Sequence, residues 1–217
     1  MAPGELGLHE IYIKVSDDKG GESSATVKVT VNVLAEAFEG GVEGRPSLYV
    51  LEIDPSIPMS GSLSATDIFR GADPWCFTGD GFENDQIKCY LSFDISILLG
   101  LPGLEFESAA LDLGSLTHIN DPEFAERLDI KAFPYGELGT EDFAVGGTAL
   151  SSCSTSLYEY SFSNDALKST LQQAINEDKN YYQLKLGLSS ATDGDDLNDV
   201  IRLSYNEIIL SVSYITD

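Results

Sequence analysis

Basic residues are scarce: 12 Lys and Arg stand against 36 Asp and Glu in 217 residues, a formal net charge of −24. The few lysines and arginines are scattered singly, so no cluster exists to neutralise a phosphate backbone, and a nucleic-acid partner is excluded. The same shortage argues against docking on an anionic membrane. No run approaches about eighteen consecutive apolar residues, so no segment reads as a membrane-spanning helix. Apolar material is not lacking, however. With 42% hydrophobic and 10% aromatic residues the chain can bury a core, which argues against disorder for most of its length.

Histidine and cysteine are equally thin. His9 and His118 are the two histidines, and Cys76, Cys89 and Cys153 the three cysteines, with no Cys-x-x-Cys pair, so a structural zinc site is not expected. No Gly-x-Ser-x-Gly elbow and no Gly-rich phosphate loop occurs, which leaves nucleophilic and phosphoryl-transfer chemistry without a motif. Paired carboxylates could serve glycoside hydrolysis, but the acids are so numerous that pairs mean little, and the chain reads as a non-enzyme. Cys76 and Cys89 bracket an acidic loop. Either they form a disulfide, which suits an oxidising compartment, or all three cysteines are buried thiols. No Asn-x-Ser/Thr sequon is present. Residues Met1 to Glu5 lack the basic and apolar regions of a secretory signal, although the composition otherwise looks extracellular; we read the chain as a piece of a larger exported protein. The acidity also fits a halophile's solvated surface.

Two segments near the start alternate with period two. Ile11, Ile13 and Val15 share one face of residues 8–15, and Val27, Val29, Val31 and Val33 share one face of residues 25–33, with the Gly20-Gly21 turn between them. This predicts a hairpin, which needs a covering surface to be stable. The run Tyr-Ile-Lys-Val-Ser-Asp-Asp-Lys-Gly-Gly-Glu-Ser-Ser-Ala-Thr-Val-Lys-Val-Thr-Val-Asn-Val resembles the last two strands of a cadherin-like, immunoglobulin-like prokaryotic surface repeat. Residues 1–37 are accordingly expected to be the end of such a repeat, or strands donated to a neighbouring subunit. Residues 38–46 read as a linker rich in glycine and acid.

From 47 to 217 short apolar strands alternate with Gly, Pro, Asn and Asp clusters, predicting an all-β, antiparallel, jelly-roll-like β-sandwich. Candidate strands cover 47–53, 61–69, 87–95, 105–116, 126–133, 157–162, 181–190 and 199–215, the last broken near Asn206. One short helix is expected over 163–176, where Leu167, Leu171, Ala174 and Ile175 keep helical spacing and Ser163 or Asn164 supplies a cap. Tyr90-Leu91-Ser92-Phe93-Asp94-Ile95-Ser96 followed by Glu107-Ser108-Ala109-Ala110-Leu111-Asp112-Leu113 resembles the core of the DNRLRE family. That likeness, over about residues 60–215, implies a jelly-roll sandwich related to carbohydrate-binding modules of large surface proteins. The family's tryptophan in the helix segment is absent here.

Three acidic loops stand out: Gly79–Asp85, Asn120–Glu123 and Thr192–Asp199. Calcium takes about six to eight oxygens from carboxylates, amides and carbonyls, and glycine between acids lets a loop curl around one ion. The expected ligands are Asp193, Asp195, Asp196, Asn198 and Asp199, then Asp80 and Asp85; the alternative is a solvated acidic loop. Trp75, beside Pro74, either offers a sugar-stacking surface or plugs the end of the core, and Tyr158, Tyr160, Tyr181 and Tyr182 are further aromatic candidates. The functional expectation is a non-catalytic extracellular structural or adhesion module stiffened by Ca2+. Its partners would be neighbouring domains, with glycan binding and self-assembly through the hairpin as alternatives.

Overall fold

A computed structural model of the chain describes residues 7–16, 22–31, 47–69, 74–101 and 104–216. The strands are β1 (Gly7–Ser16), β2 (Glu22–Val31), β3 (Ser47–Ile53), β4 (Gly61–Leu63), β5 (Ile68–Phe69), β6 (Trp75–Asp80), β7 (Gln86–Asp94), β8 (Glu105–Ile119), β9 (Arg127–Ala132), β10 (Thr148–Ser154), β11 (Glu159–Ser163), β12 (Tyr181–Leu188), β13 (Asp199–Ser204) and β14 (Ile209–Thr216). The helices are α1 (Ser96–Leu99) and α2 (Asp165–Asn176). The fold is all-β, antiparallel and sandwich-like.

β1 and β2 form a two-stranded sheet of their own, in register from Gly7↔Val31 to Ser16↔Glu22. The Gly20-Gly21 turn and the linker expected over 38–46 lie outside the described residues.

The other twelve strands make one continuous curled sheet. One half runs β10-β9-β12-β7-β4-β5. The other centres on β8, with β11 along one edge and β13 and β14, end to end, along the opposite edge; β6 pairs with β13 and β3 with β14. The halves join where β6 pairs with β7 beside their turn, at Gly79↔Ile87 and Asp80↔Gln86. The expected break near Asn206 is the gap between β13 and β14. There the chain at Glu207 turns back onto β8, accepting a 2.9 Å bond from the Ser115 amide on its Oε2. Gly114 beside it has φ +63°, and a Cβ there would lie 2.5 Å from the Glu207 side chain.

Period-two patterning explains the interior. Leu91 and Phe93 of β7, Leu111 and Leu113 of β8, Leu184 and Leu186 of β12, and Leu210 and Val212 of β14 are all fully buried in one cluster between the halves. α2 adds Leu167 and Leu171 to that cluster and is capped by Asn164, whose side chain accepts from the Leu167 amide at 2.8 Å. A second helix appears as the single turn α1, begun where Asp94 Oδ1 accepts from the Ser96 amide and hydroxyl.

Two strands escaped the sequence reading. β6 contains Gly79 and opens beside Pro74. β10 is an edge strand of small polar residues with a bulge between Ala149 and Ser151, and it buries little beyond Leu150 and Cys153. The expected strand 61–69 is two short pieces, β4 and β5.

On the outer face of the first half, residues 133–145 form a strap over a smaller cluster of Leu63, Tyr90, Phe133 and Leu138. Lys185, 6% exposed, holds the strap by donating to the carbonyls of Asp142, Phe143 and Val145 at 2.9, 2.9 and 2.6 Å. Lys88 donates to the Phe143 carbonyl at 3.0 Å and stacks 3.8 Å from that ring's centre. Burial, then the neighbouring Lys88 and Lys131, pull the Lys185 pKa down to about 8, while the Asp142 carboxylate acts in the opposite sense.

Truncating Leu91→Ala is expected to cost about 3 kcal/mol in urea unfolding, whereas Ile57→Ala, at an exposed position, changes stability by less than about 0.5 kcal/mol. Lys185→Met strands several carbonyls of the strap and is expected to cost about 2 kcal/mol, with faster amide exchange confined to residues 133–145.

Candidate metal centre

Strand order brings the three acidic loops together. β13 pairs antiparallel with both β6 and β8, through Asp199↔Asp80 on one side and Val200↔Ile119 on the other. Its first residue therefore lies beside the last residues of both neighbours. The loop leaving β6 (81–85), the loop leaving β8 (120–126) and the loop entering β13 (189–198) share one end of the molecule.

Gly79 makes the closest of these approaches possible. It has φ +154°, and a Cβ on it would fall 2.2 Å from the Asp199 carbonyl oxygen and 2.6 Å from Val200 Cα.

Side-chain bonds latch the loops to one another. Asn84 Nδ2 donates to Asp196 Oδ1, and Asn84 Oδ1 accepts from Thr192 Oγ1 at 2.8 Å and from the Asp196 amide at 3.3 Å. Asn120 Nδ2 donates to the Asn198 carbonyl at 2.9 Å, and the Asp121 amide donates to Asp199 Oδ1 at 2.7 Å. Within the third loop, Asp193 Oδ1 accepts from the Asp195 amide and Asp195 Oδ1 from the Leu197 amide. Glu83, Asn84, Asn120 and Asp196 all have positive φ, so the latched conformation is concentrated in these loops.

The face on which the acids sit follows from alternation. Cys76, Thr78 and Asp80 of β6 are opposite Leu203, Ile201 and Asp199 of β13, and all six are buried. Thr78 Oγ1 donates across the interior to the Leu186 carbonyl on β12 at 3.4 Å, so this face looks inward. The interior therefore ends in two carboxylates, Asp80 at 0% exposure and Asp199 at 1%. Asp80 Oδ1, Asp80 Oδ2 and Asp199 Oδ2 are buried without a hydrogen-bond partner. Neither ion pair among the described residues, Arg127–Asp129 or Lys179–Glu177, involves them.

Asp193 and Asp195, both exposed, each bring a carboxylate oxygen to Asp199, the three oxygens lying within 4.8 Å of one another. Burial raises the Asp199 pKa most; the Asp121 amide opposes this, and the charges of Asp195, Asp193 and Asp121 add to it. The donors are all hard oxygens, with no imidazole or thiolate among them. Such a set suits calcium or magnesium rather than zinc or copper.

Of the sequence candidates, Asp193, Asp195 and Asp199 converge, and Asp80 faces Asp199 from the adjacent strand. Asp196 is engaged with Asn84. Asn198 presents its carbonyl to Asn120, and Asp85 its carbonyl to the Gly81 amide at 2.8 Å. The latching asparagines Asn84 and Asn120 were not singled out from sequence; their signal is an asparagine in a turn, a residue that tolerates positive φ.

Trp75 is the first residue of β6. It is half-buried, and the Arg202 guanidinium stacks 4.1 Å from its ring centre, covering one face. Tyr158 is exposed and stacks on His118 at 4.5 Å, while the buried Tyr182 bonds its hydroxyl to Thr170. Cys76 and Cys89 are joined as a disulfide, Cα atoms 5.5 Å apart, and Cys153 is a buried free thiol.

No protein-family model and no curated protein sequence matches the chain. No described helix is long and apolar enough to cross a membrane.

Gly79→Ala is expected to lower unfolding stability by about 2–4 kcal/mol, because the two nearest atoms the new methyl meets are backbone that cannot swing aside, whereas Gly100→Ala, with nothing within 4 Å of its Cβ, changes it by less than about 1 kcal/mol.

Proposed function

We propose that the chain is a non-catalytic structural module of a modular extracellular or cell-surface protein, carrying load or display between neighbouring domains. The observation that supports this most is the Cys76–Cys89 disulfide. Both cysteines are fully buried, in the two strands whose turn joins the halves of the sheet. Strands β6 and β7 pair only near that turn, and the disulfide ties them where they have diverged. A structural disulfide of this kind belongs to an oxidising compartment, and closing a loop of this length contributes about 3 kcal/mol.

The other features agree with that role. Acidic residues dominate the surface chemistry, and the loop end is held by latches. The DNRLRE-like and cadherin-like resemblances point to the same kind of parent protein.

Alkylation counting tests the reading on protein isolated without reductant from the cells that make it. Cys153 is 7% exposed and burial pushes its thiol up to about 11, so the folded chain is expected to take no iodoacetamide label at neutral pH. Unfolding should expose one thiol, and unfolding with reductant three. Three labels without reductant would mean that the protein matures in a reducing compartment and would overturn the extracellular assignment.

A further inference from the structure

We propose that Asp193, Asp195 and Asp199, with Asp80 beside Asp199 on the adjacent strand, bind a calcium ion that closes the three-loop end of the sandwich. The site stands on its geometry and does not depend on the extracellular reading.

The argument starts from the buried pair. Asp80 and Asp199 are direct cross-strand partners with side chains on the same inward face, which places their Cβ atoms about 4.5–5.5 Å apart. Both carboxylates are buried and so lose their hydration, and three of their four oxygens have no hydrogen-bond partner. The amides of Asp195 and Leu197 each hold one oxygen of Asp193 and Asp195, and the second oxygen of each carboxylate is left for a ligand. Both are exposed, with water available, yet each places an oxygen within 4.8 Å of Asp199. A cation accounts for the buried pair and the gathered exposed pair together.

The orientation of Asp199 fits this role. Its Oδ1 is fixed by the Asp121 amide at 2.7 Å, which leaves Oδ2, unpartnered and buried, for the ion. Asp80 brings two further unpartnered oxygens from β6. Gly194, at φ +85°, lets the chain turn between Asp193 and Asp195, so both carboxylates come from one short loop.

Calcium is the ion of choice for such a set. It accepts irregular arrangements of carboxylate oxygens, whereas magnesium demands near-octahedral geometry and keeps its water. Once bound, calcium joins the end of β6 to the loop entering β13. Through the Asp121–Asp199 bond it also holds the loop leaving β8.

The test is thermal unfolding and calorimetric titration of the full chain after dialysis against EDTA. Wild type is expected to bind about one calcium per chain and to gain about 5–10 °C in millimolar calcium, with less than half that gain in equal magnesium. Asp80→Asn removes a buried carboxylate that has no hydrogen-bond partner. It should therefore melt higher than wild type in EDTA and gain nothing from calcium, a reversal that a purely structural residue would not produce. Asp195→Asn, at an exposed position, should melt within about 1 °C of wild type in EDTA and bind calcium at least about tenfold more weakly. No calcium-dependent shift in wild type, or a full calcium response in Asp80→Asn, would overturn the site. Equal stabilisation by magnesium would overturn the assignment to calcium.

Discussion

The pairing of β13 with both β6 and β8 is the constraint on which the acidic loop end of this molecule depends. It sets Asp199 opposite Asp80 and Val200 opposite Ile119, and so gathers three loops that are far apart in sequence. It also decides which way the acids point. Because Leu203, Ile201 and Asp199 alternate onto the same face as Cys76, Thr78 and Asp80, the row that supplies the core ends in two carboxylates. A shift of one residue in that pairing would turn Asp199 to the opposite face and place Val200 opposite Asp80. Gly79 supports the register by admitting the Asp199 backbone where any side chain would collide.

Among the described residues, aspartate and lysine side chains are buried in two places and treated in two ways. On the outer face of the first half, Lys185 is enclosed by backbone carbonyls of a strap that crosses above it, so the ammonium carries its own partners and organises a loop. At the loop end, Asp80 and Asp199 receive one amide bond between them and leave three oxygens unpartnered. Burial without partners is costly for carboxylates, and native interiors rarely leave it uncompensated. The contrast separates the two sites: the lysine completes a fold, whereas the aspartates keep unpartnered oxygens, which the proposed calcium would engage.

Much of the architecture was legible in the residues. The alternating valines and leucines marked most strands, the spacing of Leu167 and Leu171 marked α2, and the break before Ile209 was visible at Asn206. β6 and β10 were not legible. In β6 a glycine and a flanking proline imitate a turn, although Gly79 is there because the neighbouring backbone comes too close for a side chain. In β10 the edge position leaves mostly small polar residues without the contrast that alternation needs. The acidic loops were visible singly, and the run 193–199 was marked as a ligand loop. The convergence of Asp80 on that run, and the asparagine latches, belong to strand order, which local pattern does not encode.

The sequence by itself determined the all-β class, the strongly acidic charge balance, the loops where oxygen donors concentrate, and the two cysteines able to bridge. These are properties of composition and of spacing over a few residues. Only the tertiary structure decided that Asp80 is buried against Asp199, that Asp196 is occupied by Asn84, and that Trp75 is half-covered by Arg202. The reason is physical. Burial and pairing arise between strands separated by more than a hundred residues, as Asp80 is from Asp199, and a chain specifies such neighbours only through the packing of the whole sheet.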